Sequence, residues 1–174
     1  MPDTAIQRAV AFLEETGVDH CNRSLSEVLL WDDERWDEMH DFIQWVFPIP
    51  GPNEMNPDAP TLVHADFQSL RESAAARAGV LRGWLRMLEF LGLREERGTV
   101  LAADELDARA QIWLLFPTHN DLRISRMLTC LSLFHLQAQA HSSHATLCAL
   151  VRASRSYAPE KVIGYWTDSH YVRS

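Results

Sequence analysis

Apolar residues recur at helical spacing along most of the chain, and polar residues between them mark helix starts and stops. Thr4 and Gln7 make a capping box, followed by the stripe Ile6, Val10 and Leu13 with Phe12 beside it. This predicts a first helix that ends before Gly17. Ser24 and Glu27 make a second capping box, opening a short helix through Leu30. From about Asp33, the residues Trp36, Met39, Ile43, Val46 and Phe47 fall on one face of a continuous helix that Pro48 stops. The acidic residues that begin it favour the positive end of the helix dipole. Pro50, Pro52, Pro57 and Pro60 then predict an ordered, irregular loop over residues 47–61. Phe47, Ile49 and Met55 are expected to plug gaps between helices there.

Downstream, residues 64–72 read as a short helix, and Ser73 caps a long one over 74–91. Val80, Leu81, Trp84, Leu85, Leu88 and Leu91 give it a buried face; Arg82, Arg86 and Glu89 give it a wet one. Gly92 suits a left-handed stop, and residues 94–98 read as a charged connector. Further helices are predicted over 103–116, ended by Pro117, and from a Thr118–Asp121 cap through Ile124, Leu128, Leu131 and Phe134. The last two cover 137–154 and 159–168, with Pro159 at a first-turn position. The segment 99–101 is too short to count as a strand. The pattern predicts an all-α fold, one domain over residues 1–174, of about seven to eight helices.

Composition narrows the class. With 174 residues, 47% hydrophobic content and six tryptophans, the chain can bury a substantial core. Its net charge of -8 argues against a nucleic-acid partner, which needs a basic face. Cys21, Cys130 and Cys148 are odd in number and widely spaced, so a disulfide framework is not expected and a reducing compartment is. There is no basic N-terminal region followed by an apolar run, and no apolar stretch of the roughly 20 residues that span a bilayer. The expectation is a soluble, cytoplasmic protein without a transmembrane segment.

Two stretches carry a more specific signal. HDFIQWVFPIP (residues 40–50) continues into MNPDAPTL (55–62), and FPTHNDLRISRML (116–128) follows far downstream, with the weaker RMLEFLGLR (86–94) between them. In this order they resemble the conserved domain of the opioid growth factor receptor family, over about residues 31–166. The resemblance implies a receptor for a small opioid peptide, methionine enkephalin, that restrains cell proliferation. It also implies peripheral association with membranes and with the nucleus, without a bilayer crossing.

The candidate ligand-binding residues fall in those blocks. On the predicted signature helix His40 and Gln44 form one i,i+4 pair and Asp41 and Trp45 another, with Asn56 in the proline loop. Trp45, opposite the core face, either meets a second layer of helices or stands exposed as a contact surface. His119, Asn120, Arg123 and Arg126 form the second group, at the start of a helix. Arginines there oppose the helix dipole and need carboxylate partners, such as the acidic run at 32–41, or an anionic ligand. His141 and His144 lack a third ligand within helical reach, so no metal or other cofactor is expected. No nucleophile elbow, phosphate-cradling glycine loop or HExxH is present, and no catalytic residue stands out. Two readings remain: a module binding a peptide or protein partner, and an enzyme acting on a small anion held by Arg123 and Arg126.

Overall fold

The computed structural model describes residues 3–170, and the chain divides at Trp84/Leu85 into two compact units. The first holds α1 (Ala5–Leu13), α2 (Leu25–Leu29), α3 (Asp33–Glu38), α4 (Ile43–Val46) and α5 (Asp66–Glu72). α6 (Ala74–Phe90) carries the chain across the division. The second unit then holds β1 (Leu93–Glu96), β2 (Thr99–Ala102), α7 (Leu106–Trp113), α8 (Asn120–Leu133), α9 (Gln137–Ser154) and α10 (Pro159–His170). The chain is thus mainly helical, with ten helices among the described residues where seven to eight were expected. None of them is long and apolar enough to cross a membrane.

In the first unit the Thr4 capping box forms as read, and Ser24 caps α2 by accepting from Glu27 N–H. The continuous signature helix does not form. α3 ends at Met39, whose backbone is extended (φ -81°, ψ 133°), and α4 begins only at Ile43. The reason is burial: every residue from Phe42 to Pro48 is buried, and no single helix face can bury seven consecutive side chains. Breaking the helix forfeits a few backbone bonds worth about 1 kcal/mol each. Burying Phe42 alone, at 0% exposure between Trp31 and Trp36, returns about 1.5–3 kcal/mol.

The proline loop is tied down by its own polar groups. Gly51 N–H donates to the Leu62 carbonyl at 2.9 Å, and Asn53 Nδ2 donates to the Pro60 carbonyl at 3.0 Å. Phe47 is fully buried, as expected for a plug, but Met55 is 82% exposed and fills nothing. The N-terminal half of α6 comes very close to the rest of this unit. A Cβ at Gly79 would fall on the Leu13 carbonyl, and one at Gly83 would strike Val46. These two glycines, four residues apart, set how near α6 lies to α1 and α4.

In the second unit the charged connector is instead the turn of a hairpin. β1 and β2 pair antiparallel with Glu96 opposite Thr99, and Arg97 (φ 51°) and Gly98 (φ 84°) both take the left-handed geometry of a two-residue hairpin turn. Val100 is the buried residue of β2. Val80, Trp84 and Leu88 on α6 and Leu91 just after it are buried as expected, whereas Leu85 is 43% exposed. α10 packs on α8 and α9, and α9 packs on β2, where Thr146 Oγ1 donates to the Val100 carbonyl at 2.7 Å.

Candidate functional site

Around the first signature block, a loop over residues 19–23 is built on Asp19. Its fully buried carboxylate accepts from the backbone N–H of Cys21 at 2.9 Å and of Arg23 at 3.0 Å, and from Arg23 Nε at 2.7 Å. Arg23 also lies 3.1 Å from Asp41 Oδ1. Burial works against the Arg23 charge, but the bonds to Asp19 and Asp41 outweigh it and hold its pKa above the usual value. The other Asp41 oxygen, Oδ2, faces His20 Nε2 at 3.5 Å and the Cys21 thiol at 3.6 Å. Lost hydration raises the Cys21 thiol, and the Asp41 and Asp19 charges add to this against the pull of Arg23. The Asp41 carbonyl accepts a short hydrogen bond from Asn56 Nδ2, which fixes the proline loop to the break between α3 and α4.

Trp45 is buried, not an exposed contact residue. Its ring lies 5.4 Å from that of Phe12 and stacks nearly parallel on His20 (6.1 Å, 8°), with the Arg8 guanidinium 5.0 Å from its centroid. Gln44 is buried beside it in sequence, with Oε1 unsatisfied. His40 lies outside any helix and is exposed. The i,i+4 pairings expected for His40 and Asp41 are therefore lost with the helix. The structure still brings together Asp41, Trp45 and Asn56, and adds His20, Cys21 and Arg23.

Around the second signature block, the expected Thr118–Asp121 capping box is not made. Thr118 Oγ1 accepts from Asn120 N–H at 3.2 Å, and the Asp121 carboxylate is taken by Arg155 at 2.9 and 3.0 Å. The buried Arg155 guanidinium also donates to the carbonyls of Trp113, Leu114 and Phe116, closing the end of α7. Asn120 is fully buried and donates to the Ile112 carbonyl at 3.0 Å. Arg123, 5% exposed, donates to Asn120 Oδ1 at 3.3 Å, so its guanidinium is not offered at the surface as an anion site. Burial pushes the pKa of Arg126 down to about 10. His119 is exposed at the α8 start.

Over the Asp121–Arg155 pair lies a groove of about 320 Å³, lined among others by Pro117, Leu122, Tyr157, Lys161, Val162 and Tyr165. Leu122, Tyr157 and Tyr165 are 73%, 70% and 56% exposed. Their side chains border the groove on its solvent side. The polar residues of α8 carry the helical-spacing signal; Leu122 lies in the same block but is one leucine among many, and Pro117 reads only as a helix stop.

Residues 15–170 match the family model described as the opioid growth factor receptor (OGFr) conserved region. The chain belongs to the opioid growth factor receptor family. Among curated relatives, it is 35% identical to the opioid growth factor receptor of Rattus norvegicus over 127 residues, which is 67% of this chain and 22% of that protein. It is 34% identical to the Mus musculus protein of the same name over 108 residues, 59% of this chain and 17% of that protein. The chain thus spans about a fifth of the length of these opioid growth factor receptors. No solved structure matches it. Both the Asp41 cluster and the α8–α10 groove lie within the family's conserved region.

Proposed function

We propose that this member of the opioid growth factor receptor family is a peptide-binding module, and that a short peptide docks in the groove between α8 and α10. The observation that carries this reading is the exposure of Leu122, Tyr157 and Tyr165 around one groove built on the second signature block. The Asp121–Arg155 pair beneath is satisfied internally, which gives the groove a fixed floor. Lys161 is the exposed cation on its wall, so the groove suits a peptide with aromatic or aliphatic side chains and a carboxylate. The curated relatives are named as receptors of an opioid growth factor, which is consistent with a peptide of that kind. Methionine enkephalin is the natural probe.

A small, transient interface is expected here rather than a large obligate one. Calorimetric titration of the chain with methionine enkephalin tests it. One-to-one binding is expected, weakened at least tenfold by Leu122→Asp and a few-fold by Lys161→Glu, both on exposed side chains that the fold tolerates. Absence of binding at millimolar peptide, or binding unchanged in Leu122→Asp, overturns the proposal.

A further inference from the structure

We propose that His20, Cys21 and Asp41 form a binding site for a borderline divalent transition metal of the Zn2+ type. One ligand atom from each residue lies within 4.8 Å of the other two. The measured edges are 3.5 Å from His20 Nε2 to Asp41 Oδ2 and 3.6 Å from Cys21 Sγ to Asp41 Oδ2. A tetrahedral ion bound at 2.0–2.3 Å to nitrogen, oxygen and sulfur requires ligand–ligand edges of roughly 3.3–3.8 Å. The nitrogen–oxygen edge falls in that window, yet it is longer than the 2.7–3.2 Å or so of an N–H···O hydrogen bond. The spacing therefore fits a shared ion better than a direct bond between imidazole and carboxylate.

Three further features hold the ligands in this arrangement. Asp19 fixes the backbone that presents His20 and Cys21, through bonds from Cys21 N–H and Arg23 N–H. Arg23 grips the Asp41 oxygen that does not face the other two ligands, and so orients the carboxylate. Trp45 sets the plane of the His20 ring by stacking against it. The charges also close. Asp19, Asp41 and a Cys21 thiolate contribute three negative charges and Arg23 one positive, leaving two for a divalent cation to neutralise. An imidazole, a thiolate and a carboxylate suit Zn2+ and its neighbours better than the hard cations Mg2+ or Ca2+. With three protein ligands and Cys21 exposed, the fourth position opens to solvent.

Tag-free, reduced full chain is titrated with Zn2+ by calorimetry and with Co2+ by absorption spectroscopy. One equivalent of Zn2+ is expected to bind and raise the melting temperature, and Co2+ to give a thiolate-to-metal charge-transfer band. Cys21→Ser, on an exposed side chain, should abolish that band and weaken Zn2+ binding at least tenfold; His20→Gln should weaken it similarly while the band shifts. Leu122→Asp should leave the Zn2+ affinity unchanged. Absence of stoichiometric Zn2+ binding by the parent chain, or retention of both the affinity and the Co2+ band in Cys21→Ser, overturns the proposal. Retention in that variant would move the ion to another cysteine or to the histidines of α9.

Discussion

Arg23 in the first unit and Arg155 in the second are both buried against carboxylates, and the two are used in opposite ways. Arg155 in the second unit has its donors distributed over one carboxylate and three helix-end carbonyls, so the cluster is complete in itself. Arg23 in the first unit serves two carboxylates at once and leaves one Asp41 oxygen facing only His20 and Cys21. Both units bury large aromatic side chains, Trp36 and Trp45 in the first and Trp113 and Trp166 in the second, but the second also exposes Tyr157 and Tyr165 beside Leu122. A closed polar cluster under an open apolar groove is what a docking surface needs; an open polar cluster beside a closed aromatic core is what an ion site needs. Trp45 of the first signature block is buried, whereas Leu122 of the second is exposed beside the groove.

The largest effects should come from breaking either anchor. Trp45→Ala removes a buried ring from between Phe12, His20 and Arg8 and should cost about 3–5 kcal/mol in urea unfolding. A cost near zero would return Trp45 to the surface. Arg155→Ala should likewise cost about 3–5 kcal/mol, because it strands Asp121 and three carbonyls that end α7. If it proves as mild as a surface substitution, the closed cluster is not what supports the groove.

These anchors were only partly legible in the sequence. Regular amphipathic helices such as α1, α8 and α10 announce one buried face and were read close to their observed limits. The break between α3 and α4 was not, because residues 42–48 are all buried and carry no period for a helical reading to fail against. Arg155 sits in the last turn region of a helix where arginine is unremarkable, and its partners lie 34 to 42 residues away. His20 and Cys21 stand in a loop twenty residues from Asp41 with no ligand spacing to flag them, whereas His141 and His144 share a helical spacing. His144 in fact bonds Thr167 at 3.0 Å and stacks on His170. The hairpin did leave a signal, the Arg97-Gly98 turn, hidden by the charges of β1 that precede it.

Close packing should be the next most sensitive feature. Gly79→Ala would press a methyl group onto the Leu13 backbone and should cost about 1–3 kcal/mol, in contrast to Gly164→Ala, where a Cβ meets nothing and helix propensity improves. Equal melting temperatures for the two variants would contradict the close approach of α6.

Acid should act on the units in sequence. Burial first, then neighbouring histidines, holds His144 and His170 below their ordinary value of 6.5. The unfolded chain therefore binds protons that the folded second unit refuses, and stability falls as pH drops from about 6.5 toward the lower folded values. In the first unit Glu15 is held below 4.5 by the bond from Ser26 and then by Arg82. Its contribution is present above pH 4.5 and is lost as pH falls through its folded value. A melting-temperature profile should thus decline first near pH 6.5 and again below 4.5, and His144→Ala should flatten the first decline; an unaltered profile in that variant would contradict the assignment.

The most direct test of the docking surface is residue-level mapping of methionine enkephalin on the isotopically labelled chain by nuclear magnetic resonance. The account predicts saturable shifts concentrated at Leu122, Tyr157, Lys161, Val162 and Tyr165, with Trp45 and its neighbours unmoved. Shifts centred on Trp45 and Asp41, or none at saturating peptide, would contradict it.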